Sequence, residues 1–279
     1  LDPACGSGAF LIAVFNYLWK EHERVYTEIK EIKNKTAQGE LFDFDSINKT
    51  ILENNLYGVD LNRESVEITK LALWLKTAAK NKKLNSLHNN IKCGNSLVDD
   101  KSVVGDLAFD WKKEFPEIFT TKTKTNPGLL VAEAKTKRNG FDVVVGNPPY
   151  VRADIDNENY QMQRKWMETC GKYQTLFEKW DLYIAFLERS LQFLDTNGLL
   201  SFIISNSYNT VKYSEKSREY IFQNYELRQI DFFDNVQVFK GVGVESVILN
   251  IRNSKENCMS YPKRILHRGK FENVQVLPE

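Results

Sequence analysis

The chain is poor in the residues that build metal and disulfide sites. Its four cysteines, Cys5, Cys93, Cys170 and Cys258, are widely scattered with no CxxC pair, and there are only three histidines. That set argues against a zinc site or a disulfide framework, so no metal is expected and the compartment is read as a reducing cytoplasm. No apolar run approaches the roughly 18 residues of a membrane span. No signal-peptide pattern opens the sequence, so no membrane partner is expected. An excess of charge of one sign is also lacking: 38 Lys and Arg stand against 37 Asp and Glu, a formal net charge of +1. A free-standing DNA-binding domain usually carries a clear basic excess, so any grip on DNA must be local or come from residues outside this chain. Internal repeats and low-complexity tracts are absent. The first residue is Leu1, not Met, and Leu1-Asp2-Pro3 reads as the end of a strand, so the chain is expected to be a fragment of a longer protein.

What is present suits a folded core. The chain has 279 residues, 42% hydrophobic and 27% charged, which is ample for one large α/β domain and does not suit disorder. Residues 9–33 read as a helix that opens after a glycine-bearing turn. Residues 55–60 form a short apolar run ending in an acid, the pattern of a buried strand. Residues 63–80 carry Val66, Ile68, Leu71, Ala72 and Leu75 at helical spacing. Residues 90–93 are a weak strand. Residues 141–145 are a strong one, three consecutive valines bounded by Gly140 and Gly146. A helix is expected over 176–194, ended by Asn197-Gly198, then a strand over 199–204, a helix over 212–224, and strands over 227–233 and 246–251. Strands alternating with helices argue for a doubly wound, mostly parallel sheet. The connection between the last two strands is too short for a helical crossover, so they should pair antiparallel. Residues 103–138 are the least regular stretch. Its lysines and Arg138 read as a solvated insertion, with a DNA-facing patch as the alternative.

In such a sheet ligands sit at the carboxyl ends of the strands, and four motifs fall there. Asp2-Pro3-Ala4-Cys5-Gly6-Ser7-Gly8 joins a strand end to a helix start, and its glycines allow close backbone approach to a ligand. A dinucleotide fingerprint would need a third glycine where Leu11 stands. Asp2 would repel a pyrophosphate and suits a ligand carrying an ammonium and a sulfonium. A plain helix-capping turn is the alternative. Asp60 ends the second strand, where an acid can accept from both ribose hydroxyls of a nucleoside; the alternative is a cap for the next helix. Gly94-Asn95-Ser96 comes directly after the third strand. Asn95 has a donor and an acceptor with which to read an adenine edge, or it merely closes a turn.

The fourth motif carries the most chemistry. Asn147-Pro148-Pro149-Tyr150 directly follows the strongest strand. The prolines stiffen the loop and lack N–H donors, so carbonyls are left to accept. The Asn147 side chain and the Pro148 carbonyl make two acceptors for the two hydrogens of an exocyclic amine. Held that way, the nitrogen moves toward a tetrahedral shape and aims its lone pair outward. Tyr150 offers a face for stacking on a planar base. The proton can leave after methyl transfer from a sulfonium, so positioning and electrostatics suffice. A rigid Pro-Pro turn with no such role is the alternative.

Asp-Pro-Ala-Cys-Gly-Ser-Gly-Ala-Phe, Tyr-Gly-Val-Asp-Leu, Gly-Asn-Ser-Leu and Phe-Asp-Val-Val-Val-Gly-Asn-Pro-Pro-Tyr-Val-Arg follow one another in that order. Together they resemble the gamma-type N6-adenine DNA methyltransferases, chiefly the Eco57I-like and TaqI-like restriction–modification group, over nearly the whole chain. The resemblance implies a Rossmann-like class I methyltransferase: an α/β, doubly wound, mostly parallel seven-stranded sheet with an antiparallel last strand. It implies a catalytic domain over residues 1–255, with 256–279 leading toward a target-recognition domain beyond the chain. S-adenosylmethionine is the implied cofactor and double-stranded DNA the implied partner. By the same likeness Asp2, Pro3, Ala4, Cys5, Gly6 and Gly8 surround the cofactor's methionine part, Asp60 binds its ribose, and Leu61, Asn95, Ser96, Pro149 and Phe186 lie toward its adenine. Relatives often have aspartate where Asn95 stands. Asn147, Pro148 and Tyr150 would hold the target base, with Phe239 as the second face of an aromatic sandwich. Phe232 and Phe233 are rivals for that face, and core packing is the alternative for all three and for Phe186. The segment that precedes the glycine loop in the family, closing over the methionine end, lies upstream of Leu1.

The expected activity is methylation of adenine N6 in DNA within a restriction–modification or related defence enzyme. The rivals are methylation of a protein glutamine or an RNA base, and a non-catalytic DNA-binding or specificity subunit. A dehydrogenase is a distant third because of Leu11.

Overall fold

A computed structural model describes residues 1–33, 44–77, 87–119, 139–234, 236, 238–239, 245–254 and 264–269. The chain divides into two compact units, Leu1–Gly94 and Asn95–Glu279.

The first unit opens with the long helix α1 (Ala9–Lys33), as its sequence predicts. It continues through α2 (Phe44–Thr50), a π-helical turn (Ile51–Asn55), β1 (Gly58–Asp60), α3 (Arg63–Thr77) and β2 (Ile91–Cys93). β1 and β2 pair in parallel. Asp2 adds a parallel bridge to Gly58, its N–H donating to the Tyr57 carbonyl and its own carbonyl accepting from Val59. The chain thus enters the glycine loop from a strand edge, as the opening tripeptide suggests. Leu11 and Phe15 of α1, Val66 and Leu73 of α3, Ile51, Leu52 and Ile91 form one buried cluster with Cys5 at its margin. Each such side chain contributes about 1.5–3 kcal/mol when removed from water.

The second unit begins with the short helices α4 (Lys101–Val104), α5 (Trp111–Glu114) and α6 (Pro116–Phe119). The strand β3 (Phe141–Gly146) comes next, then α7 (Glu158–Thr169), α8 (Leu182–Gln192), β4 (Leu194–Ser205), α9 (Glu215–Asn224), β5 (Glu226–Asp234), β6 (Ser246–Arg252) and β7 (Arg264–Gly269). The sheet order is β3-β4-β6-β5-β7. β3 and β4 run parallel, β6 is antiparallel to both β4 and β5, and β7 is parallel to β5.

The α/β architecture and the antiparallel pairing of β5 with β6 agree with the sequence reading. The single seven-stranded sheet does not. Among the described residues seven strands form a two-stranded and a five-stranded sheet. β6, the last strand within residues 1–255, is antiparallel as expected; it lies inside the larger sheet, and β7 forms within the segment expected to lead outward. Alternation along the chain reveals that strands exist, but which strands share a ladder is a non-local choice it does not encode.

One helix is also corrected. α8 begins at Leu182 rather than 176, because the Asp181 carboxylate accepts from the Leu182 N–H and caps it. Its buried face carries Tyr183, Phe186, Leu187 and Leu191. The chain turns directly into β4 after Phe193, and Asn197 (φ 65°) lies within that strand instead of ending the helix. Most of the basic stretch expected as an insertion lies outside the described residues; Lys112 and Lys113 fall on α5, capped by Asp110. Among the described residues no helix is long and apolar enough to cross a membrane.

Candidate functional site

In the first unit the glycine loop takes the conformation its residues require. Gly6 (φ 51°) and Gly8 (φ 86°) both have left-handed backbones, which side chains disfavour. A Cβ on Gly8 would also stand 2.8 Å from Cγ2 of Thr69. Thr69 is fully buried on α3 and its hydroxyl donates to the Gly6 carbonyl at 2.8 Å. The loop is therefore clasped from the α3 side by a residue that motif reading misses. Its signal is faint: a threonine on the face of α3 that also carries Val66 and Leu73.

Asp60 clasps the same loop from the end of β1. One of its oxygens accepts from the Gly6 N–H at 2.8 Å and the other from the Asn62 N–H at 2.9 Å. Asn62, not Asp60, caps α3, through an acceptor bond from Ser65. A carboxylate has about four lone-pair sites, so both oxygens of Asp60 keep capacity for hydroxyl donors. Asp2 is almost wholly buried, and its carboxyl accepts from the Ala4 N–H at 3.1 Å. Burial, with the nearby Asp60 charge adding to it, pushes the Asp2 carboxyl up to about 7. Pro3 and Cys5 are buried, Ala4 is partly buried and Leu61 is exposed. Burial also pushes the Cys5 thiol up, so it remains a neutral packing group. Two acids and two left-handed glycines at one strand end make a small anionic cradle, fit for a cationic ligand.

The second unit holds the remaining candidates. Asn95 is buried and almost fully engaged. Its oxygen accepts from the Leu97 and Val98 N–H groups at 3.0 and 3.2 Å, and its nitrogen donates to Gln163 at 2.9 Å. One amide hydrogen is left for any other partner. Ser96 is buried and its carbonyl accepts from the Trp111 indole at 3.0 Å. Phe186 lies on the buried face of α8. Phe239 is half-buried in a bend. Lys240, next to it in the late motif, lies outside the described residues.

Asn147 to Tyr150 leave β3 at its carboxyl end. Parallel pairing sets Gly146 opposite Phe202, so the loop emerges beside Ile203 of β4. There the Tyr150 hydroxyl lies 2.8 Å from Asn147 Oδ1 and 3.2 Å from the Ile203 carbonyl. Pro148 is buried and Pro149 exposed. Among the described residues no hydrogen bond reaches the Pro148 carbonyl. The Tyr150 and Tyr183 rings meet at 6.0 Å and 89°, edge to face, a favoured quadrupole geometry. Burial, and then the Asp181 charge, push the Tyr150 phenol up to about 12.

The chain just beyond Tyr150 is tied down as well. The Val151 carbonyl accepts from the Leu182 N–H at 3.0 Å and from the Tyr160 hydroxyl at 3.2 Å. Arg164, buried on α7, stacks over Trp180 at 3.7 Å and donates to its carbonyl at 2.7 Å. Burial raises the Asp181 carboxyl, opposed by hydrogen bonds from the Leu182 and Val151 backbone. None of these supports is read from the sequence; the cap at Asp181 is the one with a local signature. A separate cleft of about 400 Å³, lined by Asp99, Trp111, Lys172, Arg189 and Phe193 among others, lies toward the amino end of β3 and contains none of the candidates.

The sequence profile described as the Eco57I restriction-modification methylase matches residues 54–239. The chain is 28% identical over 271 residues to the Type II restriction enzyme and methyltransferase RM.Eco57I of Escherichia coli, covering 93% of this chain and 25% of that protein. It is 39% identical over 103 residues to the Type II methyltransferase M.BstVI of Geobacillus stearothermophilus, covering 37% of this chain and 17% of that protein. The chain therefore spans a quarter or less of the length of these curated relatives. Among solved structures it superposes on a chain of the DrdV–DNA complex with a TM-score of 0.59 at 14% identity, covering 95% of this chain and 24% of that one. The M protein of the type I restriction enzyme EcoKI gives 0.54 at 13% identity, covering 97% and 44%. At these identities the superpositions show a shared fold.

Proposed function

The chain belongs to the Eco57I restriction-modification methylase family, and from that premise we propose that it transfers a methyl group from S-adenosylmethionine to N6 of an adenine flipped out of duplex DNA. The observation that carries the reading is the Asn147–Tyr150 loop at the carboxyl end of β3. It holds two neutral carbonyl groups, the Asn147 side chain, whose Oδ1 faces the Tyr150 hydroxyl, and the Pro148 main chain, beside an aromatic ring.

Those two acceptors take the two hydrogens of the exocyclic amine and turn its lone pair outward. The Tyr150 ring stacks on the extruded base, a contact worth about 1–3 kcal/mol. Phe239 is its partner on the second face. The cofactor supplies an electrophilic methyl group on a sulfonium. In the first unit the buried Asp2 carboxyl and the left-handed Gly6–Gly8 turn fit the ammonium of the cofactor's amino-acid end, and the spare lone pairs of Asp60 fit its ribose. Leu61 and, in the second unit, Asn95, Ser96, Pro149 and Phe186 are assigned to its adenine. The amine lone pair would attack the methyl carbon as its bond to sulfur breaks, leaving a neutral thioether, and the proton would then pass to solvent, so the neutral surroundings of Asn147 suffice.

DNA as substrate is supported by the restriction-modification family to which the chain belongs and by the solved DrdV complex with DNA. With a net charge of +1, the chain would depend on a recognition domain outside it for sequence-specific contacts. We place the reaction in a reducing cytoplasm, which suits the free thiols of Cys5, Cys93 and Cys170. The test is to incubate the full-length protein with labelled S-adenosylmethionine and duplex DNA, then digest the DNA to nucleosides. Label in N6-methyldeoxyadenosine is expected. Label in methylcytosine, in RNA or in a protein glutamine would overturn the assignment of the target.

A further inference from the structure

The Tyr150 hydroxyl has one proton and two acceptors in reach, Asn147 Oδ1 at 2.8 Å and the Ile203 carbonyl at 3.2 Å. It can satisfy only one of them fully. The Ile203 carbonyl cannot move aside, since β4 is held by the ladder that pairs Ile203 with Ile248 of β6. The ring cannot swing freely either, with the buried Tyr183 ring packed edge to face with it. The Asn147 amide is the one member that can resolve the conflict. Turned by 180°, it donates from Nδ2 to the Tyr150 oxygen while the Tyr150 proton goes to Ile203. Every group in the row is then paired.

The two settings differ in what Asn147 shows on its other side. With the Tyr150 proton on Oδ1, the setting seen in the structure, the amide turns its NH₂ outward, a donor where an amine also brings donors. With the proton on Ile203, the amide turns its carbonyl oxygen outward, as an acceptor. We propose that the Tyr150 hydroxyl is a positioning group that selects the outward carbonyl setting of Asn147, distinct from the stacking role of the Tyr150 ring. The inference rests on the proposed function, because it assumes that Asn147 accepts from a target amine. The hydroxyl keeps its proton throughout the physiological range, since burial holds the phenol at about 12.

Tyr150→Phe separates the roles, keeping the ring and removing the hydroxyl. In the full-length protein, capture of an extrahelical base is read by 2-aminopurine fluorescence at the target position, and transfer by single-turnover rate at saturating cofactor and DNA. Tyr150→Phe is expected to keep the fluorescence rise and the DNA KM, while transfer slows on the order of tenfold, the worth of about one hydrogen bond. Tyr150→Ala is expected to lose both. Transfer at the wild-type rate in Tyr150→Phe would overturn the proposal. So would a fluorescence loss equal to that of Tyr150→Ala, which would put the hydroxyl in base capture. If wild-type label goes to another amine, the adenine reading fails alone, and the rate ratio on that amine still decides the role of the hydroxyl.

Discussion

The glycine loop of the first unit and the Asn147–Tyr150 loop of the second both sit at the carboxyl ends of buried strands, yet they are built from opposite materials. Around Gly6 and Gly8 stand two carboxyl groups, one of them almost wholly buried and raised to about 7. Around Asn147 stand amide, carbonyl and phenol groups, and no carboxyl is hydrogen-bonded to them among the described residues. A buried carboxyl is unfavourable without a counter-charge, so the first loop is suited to a cation. Neutral acceptors neither attract a cation nor withdraw a proton, so the second loop suits a neutral amine that must keep its lone pair. On the proposed function, the charged loop serves the cofactor and the neutral loop serves the target amine.

The largest effect that can test this contrast comes from the neutral loop. Asn147→Ala should lower the transfer rate on the order of 10²–10³ or more, since a positioned contact to the reacting group is removed. Near-normal turnover would show that Pro148 and the ring suffice. An intermediate effect comes from the charged loop through pH. A cationic ligand binds the ionised form of Asp2, so its affinity should rise with pH up to about 7 and level off above. Below that point the loss approaches tenfold per pH unit, and binding releases a proton. Calorimetry in two buffers of different ionisation enthalpy reads the proton directly; pH-independent affinity between 5 and 8 would remove Asp2 from the site. The linked stability effect has the less common sign. The folded-state value lies above the ordinary 3.8, so the folded unit binds the extra proton, and the contribution of Asp2 to stability falls as pH rises between about 4 and 7. The smallest effect concerns the scaffold. Gly8→Ala places a Cβ 2.8 Å from Thr69 on a left-handed backbone and should destabilise by roughly 1–2 kcal/mol in urea unfolding. Unchanged stability would show that the loop relaxes around the methyl.

The sequence discloses what is local. Three valines between two glycines mark β3, which stands where it is expected. The glycine loop declares itself because left-handed turns leave few alternatives to glycine. The hidden features depend on distant partners. α7 escapes a sequence reading because it buries little besides Arg164 and Met167, so its apolar periodicity is weak. The start of α8 is misplaced because Leu176 and Phe177 extend an apolar spacing that the Asp181 cap then cuts off. Strand pairing is misjudged because β6 finds partners on both sides, a choice made by the whole sheet. At the sites, Asp60 binding Gly6, Thr69 closing on Gly8, Gln163 taking the Asn95 amide and Tyr150 reaching Asn147 are all pairings made by side chains. The first three cross long stretches of sequence. The last spans only three residues but depends on how the loop turns.

The division between the charged and the neutral loop is tested most directly by one crossed measurement. Asp2→Asn and Asn147→Ala are compared with the wild-type full-length protein for S-adenosylmethionine affinity by calorimetry and for single-turnover transfer at saturating cofactor. Asp2→Asn is expected to weaken cofactor affinity while saturation restores most of the transfer rate. Asn147→Ala is expected to leave affinity within about twofold while transfer collapses by about 10² or more. Loss of cofactor affinity in Asn147→Ala, or a transfer defect in Asp2→Asn that saturation does not relieve, would contradict that division.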